Sequence, residues 1–383
     1  MISDASTIPY GRQSVDEDDI AAVVDVLRGD WLTTGPAIGD FEAALATRVE
    51  AQHAVVFANG TAALHAAMAV ANIGPGDRVL TSPLSFVASA NCAKYVGASV
   101  GFVDIDPTTW NLDVHAVTEC DALVAVHYAG LPCALEELSY RPRVVVEDAC
   151  HALGARTPHG PVGNCSHSDM TVFSFHPVKS ITTGEGGAVT TNSDTYAAAL
   201  RKFRSHGTTS RPEYGGWYYE VDSLGFNYRM SDIQAALGLS QLAKLGNFVA
   251  LRNALADRYR RRFRDVAISG VVLPPAAPHG SRHAHHLFAV LVDDRRRVYE
   301  ELHAVGVGVQ VHYVPIYRHP LYADCGASVL DFPVTEHVYS GLLSLPLYPT
   351  MTTAQQDAVI DAVVHANANT VSRFELATAN TAA

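Results

Sequence analysis

The stretch "RVVVEDACHALGA", residues 143–155, joins a run of valines directly to two carboxylates and then to small residues. The run is apolar at consecutive rather than alternating positions, which is typical of a β-strand buried on both faces of a sheet. In open α/β folds, ligands bind at the carboxyl ends of such strands. The stretch therefore predicts both a parallel sheet and a candidate site that includes Asp148.

Similar apolar runs on both sides of this stretch alternate with segments of helical periodicity. Strands are predicted over 53–58, 77–82, 99–106, 122–129, 169–175 and 187–192. Helices are predicted over 14–31, with Ser14 as the N-cap, and over 40–51, 61–74 and 85–97. Short strands that alternate with helices predict an α/β domain with a mainly parallel sheet.

After about residue 230 the pattern changes. A long helix is predicted over 231–263, broken near Gly246, and is followed by a strand, a helix and a strand over 286–293, 295–306 and 307–315. We therefore predict a large α/β domain over residues 1–245 and a smaller α+β domain over 246–383. The last ten or so residues are small and polar, and we expect them to be disordered.

Composition narrows the class of protein. The chain has 383 residues, 48% of them hydrophobic, and a formal net charge of −12, which fits a globular protein and disfavours nucleic-acid binding. The N-terminus lacks a signal-peptide pattern and no apolar run is long enough to span a bilayer, so we expect a cytoplasmic protein without membrane contact.

Cysteine and histidine spacing gives no sign of a metal site. The six cysteines are scattered without a CxxC pair, so free thiols are expected. The densest histidine cluster, "RHAHHLFAVLV" at 282–292, leads into an apolar run and is interpreted as the start of a strand. No metal is predicted.

Three groups of residues at predicted strand ends are candidates for binding or catalysis, and each is a weak signal by itself. Asn59, Gly60 and Thr61 lie between a strand and a helix, where backbone amides bind phosphate, although a plain turn is at least as common. Asp148 could hold a protonated pyridine nitrogen or simply cap a helix. Lys179, in "FSFHPVKSITTGEGG" (173–187), could form a Schiff base or reach solvent as a strand-end cation. With Phe86 as an aromatic cap, they form the set that pyridoxal 5′-phosphate (PLP) needs.

The sequence resembles the nucleotide-sugar aminotransferases of the DegT/DnrJ/EryC1/StrS family. The resemblance runs from residue 8 to about 350 and rests on "NGTAALHAA", "VEDACHALGA", "FSFHPVKSITTGEGGAV", "GFNYRMSDIQAALGLSQL" and "VQVHYVPIY". It implies a fold-type-I PLP-dependent transferase, with a large mainly parallel-sheet domain and a smaller α+β domain. It also implies a homodimer with shared active sites.

The resemblance also implies roles for individual residues. Lys179 would hold the cofactor and move protons, and Asp148 would pair with the pyridine nitrogen. Further cofactor contacts are implied at Gly60, Thr61, Phe86, His151, Ser174 and, from the neighbouring subunit, Asn227. Contacts with the nucleotide sugar are implied at Tyr10, Trp31, Leu32, Thr33, His312, Tyr313, Val314 and Pro315, for which ordinary packing at a domain boundary is the alternative.

Within the family, "WLTTGP" and "HPVK" fit the branch of the pseudaminic acid pathway. That branch moves an amino group from L-glutamate to C4 of a UDP-linked 4-keto-6-deoxy-N-acetylhexosamine, forming UDP-4-amino-4,6-dideoxy-N-acetyl-β-L-altrosamine. The same chemistry on a dTDP-keto sugar or a cyclitol ketone is the alternative. A non-catalytic regulatory or binding protein on this scaffold is disfavoured because Lys179 and Asp148 are both present. A related sugar 3-dehydratase subgroup carries histidine at the position of Lys179. The lysine here therefore favours amino transfer.

Overall fold

The structure, a computed structural model, describes residues 7–380, and side chains up to residue 367. Its α-helices are α1 (Glu17–Arg28), α2 (Pro36–Val49), α3 (Gly60–Val70), α4 (Ala88–Tyr95), α5 (Asp194–Phe203), α6 (Asp232–Asp265), α7 (Arg295–Ala304), α8 (Pro333–Gly341) and α9 (Thr353–Asn380). Within the described range, no helix is both long enough and apolar enough to cross a membrane.

The strands are β1 (His53–Phe57), β2 (Arg78–Thr81), β3 (Ser99–Phe102), β4 (Ala122–Val126), β5 (Val144–Asp148), β6 (Arg156–Thr157), β7 (Gly160–Pro161), β8 (Met170–Ser174), β9 (Gly187–Thr191), β10 (Thr208–Ser210), β11 (Tyr219–Val221), β12 (Val271–Val272), β13 (Phe288–Val292) and β14 (Leu342–Leu345). Short 3₁₀ turns occur in several of the connections.

The main sheet has seven strands in the order β1-β9-β8-β5-β4-β2-β3. Only β9 runs antiparallel to its neighbours, β1 and β8. All other neighbouring pairs are parallel. The predicted α/β fold with a mainly parallel sheet is therefore confirmed, and the carboxyl ends of β2, β4, β5 and β8 meet at one edge.

Helices cover both faces of this sheet. Along β1, Val55 and Phe57 pack into the core beneath α3 and α5, whereas Ala54 and Val56 pack into the core beneath α2 and α6. Each strand must therefore be apolar at consecutive positions, which explains the unbroken apolar runs in the sequence.

The C-terminal part of the chain builds a second, smaller sheet. Strands β12, β13 and β14 pair antiparallel in that order. They share a core with α7, α9 and the C-terminal half of α6, where Tyr259 and Phe263 are buried. The predicted boundary at residue 245 falls inside α6, so a division into two domains there stays a proposal. The predicted disorder of the last ten or so residues stays a prediction. Up to Asn380 the structure describes only the backbone of this tail, as the end of α9, and residues 381–383 lie outside the described residues.

Three local predictions were wrong. Helix α6 runs unbroken through Gly246, because α6 packs along α1 and α2 and these contacts outweigh the cost of one glycine, about 1 kcal/mol. The N-cap of α1 is Asp16, not Ser14, since the Asp16 carboxylate accepts hydrogen bonds from the amides of residues 18 and 19. Residues 307–315 form only isolated bridges, Ile8 with Val307 and Gln310 with Ser344, instead of a strand.

Candidate active site

A cavity of about 1040 Å³ opens at the carboxyl edge of the main sheet. Ten of the residues predicted for the site line it: Tyr10, Gly60, Thr61, Phe86, Asp148, His151, Ser174, Lys179, His312 and Tyr313. They come from segments that are far apart in sequence. Parallel strands bring them together, because Asp148 ends β5, Ser174 ends β8 and Gly60 begins the helix after β1.

Asp148 is buried and held at both carboxylate oxygens. The Ser89 hydroxyl donates to Oδ2 at 2.6 Å, and the Cys150 amide donates to Oδ1 at 3.2 Å. Ser89 lies on α4 and its oxygen is 2.7 Å from that of Ser85. The carboxylate therefore has a fixed orientation on the cavity wall.

Lys179 follows β8 by five residues and lines the same cavity. Burial lowers the pKa of its ammonium group, against the opposing effect of Cys150 and Asp148. A lowered pKa increases the fraction of neutral amine at neutral pH, and the neutral amine is the nucleophilic form.

The loop that carries Lys179 is closed on itself. The Phe175 amide donates to the Gly186 carbonyl at 2.8 Å, and the Thr183 amide donates to the Phe175 carbonyl at 3.0 Å. The Glu185 carbonyl accepts from the Thr183 hydroxyl and the Gln234 side chain, both at 2.7 Å. These bonds fix the loop, and the backbone of Glu185 is part of the closure.

The N-terminus of α3 supplies backbone amides. Asn59 caps the helix by accepting from the Ala62 amide at 2.8 Å, whereas the amides of Gly60 and Thr61 have no acceptor within the described chain. A Cβ on Gly60 would come within 3.0 Å of Ser174 Cβ, so a larger residue here would displace Ser174 by a few tenths of an ångström. The arrangement suits a phosphate, since the helix dipole and free amides both favour an anion.

Aromatic and imidazole rings also line the cavity. The Phe86 ring is 6.0 Å from that of Tyr313, centroid to centroid, and His151 Nε2 lies 3.1 Å from the Tyr313 hydroxyl. Burial, followed by the charge of Lys179, keeps the pKa of His151 well below its usual range. Burial and the Lys179 charge lower the pKa of His312 to about 4. Both rings are therefore neutral at neutral pH.

Six predicted site residues do not line this cavity: Trp31, Leu32, Thr33, Asn227, Val314 and Pro315. Trp31 and Leu32 are 57% and 50% exposed, whereas Pro315 is buried. Thr33 forms an isolated bridge with Ser231. The segment 31–33 thus lies beside the start of α6. Exposed Asn227 comes shortly before the start of that helix in the sequence.

Several residues of the site were missed by sequence reasoning. Ser89 and His286 are the most informative, because one fixes Asp148 and the other lines the cavity. Cys150 was also missed, although it stands in the same motif as Asp148. The helical spacing of Ser85 and Ser89 was the available signal for a polar helix face. No cluster of metal-ligating side chains occurs among residues 7–380 as far as they are described.

These residues fit a bound PLP. A lysine with a lowered pKa, a carboxylate fixed by two hydrogen bonds, and a glycine-lined helix terminus with unpaired amides converge on one cavity. Each matches one part of the cofactor: the aldehyde, the pyridine nitrogen and the phosphate.

The chain is similar over most of its length to known aminotransferases. The DegT/DnrJ/EryC1/StrS aminotransferase family matches residues 13–364. The spore coat polysaccharide biosynthesis protein SpsC of Bacillus subtilis is 36% identical, with 93% of this chain and 96% of SpsC covered. The UDP-4-amino-4-deoxy-L-arabinose–oxoglutarate aminotransferase of Shewanella sediminis is 33% identical, with 93% and 97% covered.

Solved structures of aminotransferases also superpose on this chain. Helicobacter pylori PseC, an aminotransferase involved in the biosynthesis of pseudoaminic acid, superposes with a TM-score of 0.87 at 31% identity, with 95% of this chain and 100% of PseC covered. The PLP form of Spr1654 from Streptococcus pneumoniae superposes with a TM-score of 0.87 at 28% identity, with 95% and 99% covered.

Proposed function

Because the chain belongs to the DegT/DnrJ/EryC1/StrS aminotransferase family, and is thus a PLP-dependent sugar aminotransferase, we propose a specific reaction for it. The amino group of L-glutamate is moved to C4 of a UDP-linked 4-keto-6-deoxy-N-acetylhexosamine. The product is UDP-4-amino-4,6-dideoxy-N-acetyl-β-L-altrosamine. Similarity to PseC and to an aminotransferase of a UDP-linked sugar supports this choice.

One observation carries the catalytic part of the proposal: Lys179 and Asp148 line the same cavity as the open amides of α3. We assign the pyridine nitrogen to Asp148, whose orientation is fixed by Ser89. We assign the phosphate to Gly60, Thr61 and Ser174. Phe86 would cover one face of the ring and His151 would lie beside its hydroxyl group.

Bound PLP supplies an electron sink, which makes the proton on the α carbon of an amino acid removable. Lys179 would be the residue that accepts this proton and moves it beside the cofactor. Burial favours its neutral form, which can act as a base. Asp148, fixed through Oδ1 and Oδ2, would hold the ring nitrogen in its protonated form.

The nucleotide sugar would enter from the side of Tyr10, His312 and Tyr313. The Tyr10 and His312 rings are 5.2 Å apart, and the His312 carbonyl accepts from the Tyr128 hydroxyl at 2.5 Å. Val314 and Pro315 continue this segment, and we propose that they shape the same wall.

We further propose that the active site is completed by a second copy of the chain. Trp31, Leu32 and Thr33 lie on the surface, where Thr33 pairs with Ser231. Ser231 follows Asn227 closely in the sequence. In a homodimer these exposed residues would serve the cavity of the neighbouring subunit, with Asn227 at the phosphate. The other three would contact the nucleotide sugar.

The proposal is tested in two half-reactions. Protein loaded with PLP should lose its visible absorbance on addition of L-glutamate, and should recover it on addition of the UDP-4-keto sugar. Recovery only with a dTDP-keto sugar or a cyclitol ketone would replace the UDP substrate by that alternative. No response to L-glutamate would refute the proposed donor, and no response to any amino donor would favour a non-catalytic role.

A further inference from the structure

His286 belongs to the histidine cluster at 282–292 and has no assigned role in the proposed amino transfer. It lies two residues before β13, where its amide donates to the Ala129 carbonyl at 2.9 Å. The side chain is buried, with 5% exposed, and lines the cavity together with Lys179. His286 therefore does more than begin a strand.

The His286 ring has no hydrogen-bond partner within the described chain, and its Nδ1 is fully enclosed. Its neighbours in the cluster lie outside the cavity, although His285 Nδ1 is also enclosed without a partner. His283 Nδ1 accepts from the His285 amide at 2.8 Å, the two rings stack at 3.8 Å, and neither lines the cavity. An unpartnered polar ring on a cavity wall is typical of a group that pairs with a ligand.

The environment fixes the protonation state of His286. Burial, followed by the charges of Lys179 and Arg252, keeps its pKa well below the usual range, so the ring is neutral. A neutral imidazole carries one proton. Enclosed N–H groups without an acceptor are rarer than enclosed acceptors, so the proton belongs on Nε2. Since Nδ1 is enclosed, Nε2–H is the group available to the cavity.

The position of the ring is also fixed. The Arg252 guanidinium, itself buried, donates to the carbonyls of Leu347 at 2.9 Å and His286 at 3.5 Å. The His286 ring lies 4.3 Å from that of His151, whose Nδ1 is likewise enclosed and unpartnered. Two neutral imidazoles thus stand side by side near Lys179.

We propose that His286 is a ligand-binding residue of this cavity, and that its Nε2–H donates a hydrogen bond to an anionic oxygen held beside Lys179. Two sources carry such an oxygen: the ring hydroxyl group of the cofactor, in its ionised form, and the α-carboxylate of the amino donor. The second source rests on the proposed donor, L-glutamate, and the first does not.

The test uses three variants of the full chain. His286→Phe keeps a flat ring without a donor, and His286→Gln places an amide N–H at a similar reach. His285→Phe is the matched control, since it removes a buried imidazole from the same segment outside the cavity. Thermal melts show which variants fold.

The first arm titrates each apoprotein with pyridoxamine 5′-phosphate, which Lys179 does not hold covalently. If the oxygen belongs to the cofactor, His286→Phe raises the Kd about tenfold, as expected for a lost hydrogen bond to a charged group, whereas His286→Gln stays near the wild type. The second arm follows the PLP spectrum against L-glutamate concentration. If the oxygen belongs to the donor, the Kd is unchanged and the half-saturating glutamate concentration rises about tenfold.

Unchanged values in both arms would overturn the proposal. So would a loss in His286→Phe that His286→Gln does not recover, or an equal loss in His285→Phe. A wild-type protein that ignores L-glutamate would refute the donor instead. The pyridoxamine phosphate arm alone would then decide the role of His286.

Discussion

Replacing Ser89 by alanine should impair the enzyme through Asp148. The Ser89 hydroxyl gives its only proton to Asp148 Oδ2 at 2.6 Å, so the Ser85 hydroxyl, 2.7 Å away, must donate to Ser89. The remaining bond to the carboxylate, from the Cys150 amide, is longer at 3.2 Å. Ser89→Ala removes the shorter of the two bonds and frees the carboxylate to rotate.

The two serines differ in what they stabilise, which sets the expected magnitudes. A hydrogen bond to a charged group contributes about 1.5–3 kcal/mol, so Ser89→Ala should lower kcat/KM roughly 10- to 100-fold. Ser85→Ala removes a bond between two neutral hydroxyls, about 0.5–1.5 kcal/mol, and should lower it by no more than about tenfold. Ser89→Thr keeps the hydroxyl and should remain within a few-fold of the wild type.

The assay measures kcat and KM for L-glutamate and the Kd for pyridoxamine 5′-phosphate in each variant, with thermal melts alongside. A positioning role lowers kcat more than it raises KM, because the carboxylate acts on the cofactor ring. Wild-type kcat/KM in Ser89→Ala, or a larger loss in Ser85→Ala, would refute the reasoning. A lowered melting temperature with unchanged kinetics would leave Ser89 a packing residue only.

Three further predictions concern single groups. Lys179→Ala should fold, with a melting temperature near that of the wild-type apoprotein. It should show no transamination and no PLP absorbance band that responds to glutamate. Measurable turnover would contradict the role of this lysine. Asp148→Asn should bind PLP yet turn over far more slowly, and a wild-type kcat would remove Asp148 from its role. Urea unfolding should show stability falling from pH 7 to pH 5, because burial lowers the pKa of His285 to about 3, so the unfolded chain alone takes up this proton. The loss is about 2 kcal/mol for this histidine, and His285→Phe should reduce the pH dependence by that amount; an unchanged pH dependence would show that His285 is not kept neutral.

Much of the fold followed from local pattern. The apolar runs of β4 and β5 predicted a sheet buried on both faces, and helices do cover both faces of the sheet that forms. Lys179 and Asp148 were predicted because each stands in a short motif whose residue types already indicate their chemistry. The structure brings both residues to one cavity, and their roles in the reaction stay predictions. Local pattern was informative here because the deciding information lies within a few residues.

Other features depend on contacts that no local pattern reports. Ser89 and Asp148 are 59 residues apart in sequence, and only the packing of α4 against the sheet makes them partners. His286 reaches the cavity because Ala129 and Arg252 hold its backbone. Helix α6 stays whole at Gly246 for the same kind of reason, since its packing on α1 and α2 overrides a weak local preference.

The groups of the candidate site also differ in what holds them. Asp148, Ser174 and Gly60 stand at the ends of β5, β8 and α3, so these elements hold their backbones in place. Lys179 instead stands on the 176–186 loop, which packs closely at Gly186: a Cβ there would come within 2.1 Å of the side-chain Oγ1 of Thr183. A lysine that would hold the cofactor and then move protons beside it needs a flexible side chain on a fixed backbone. The parallel sheet fixes the groups that would bind the cofactor, and the closed loop fixes the backbone of the base that would act beside it.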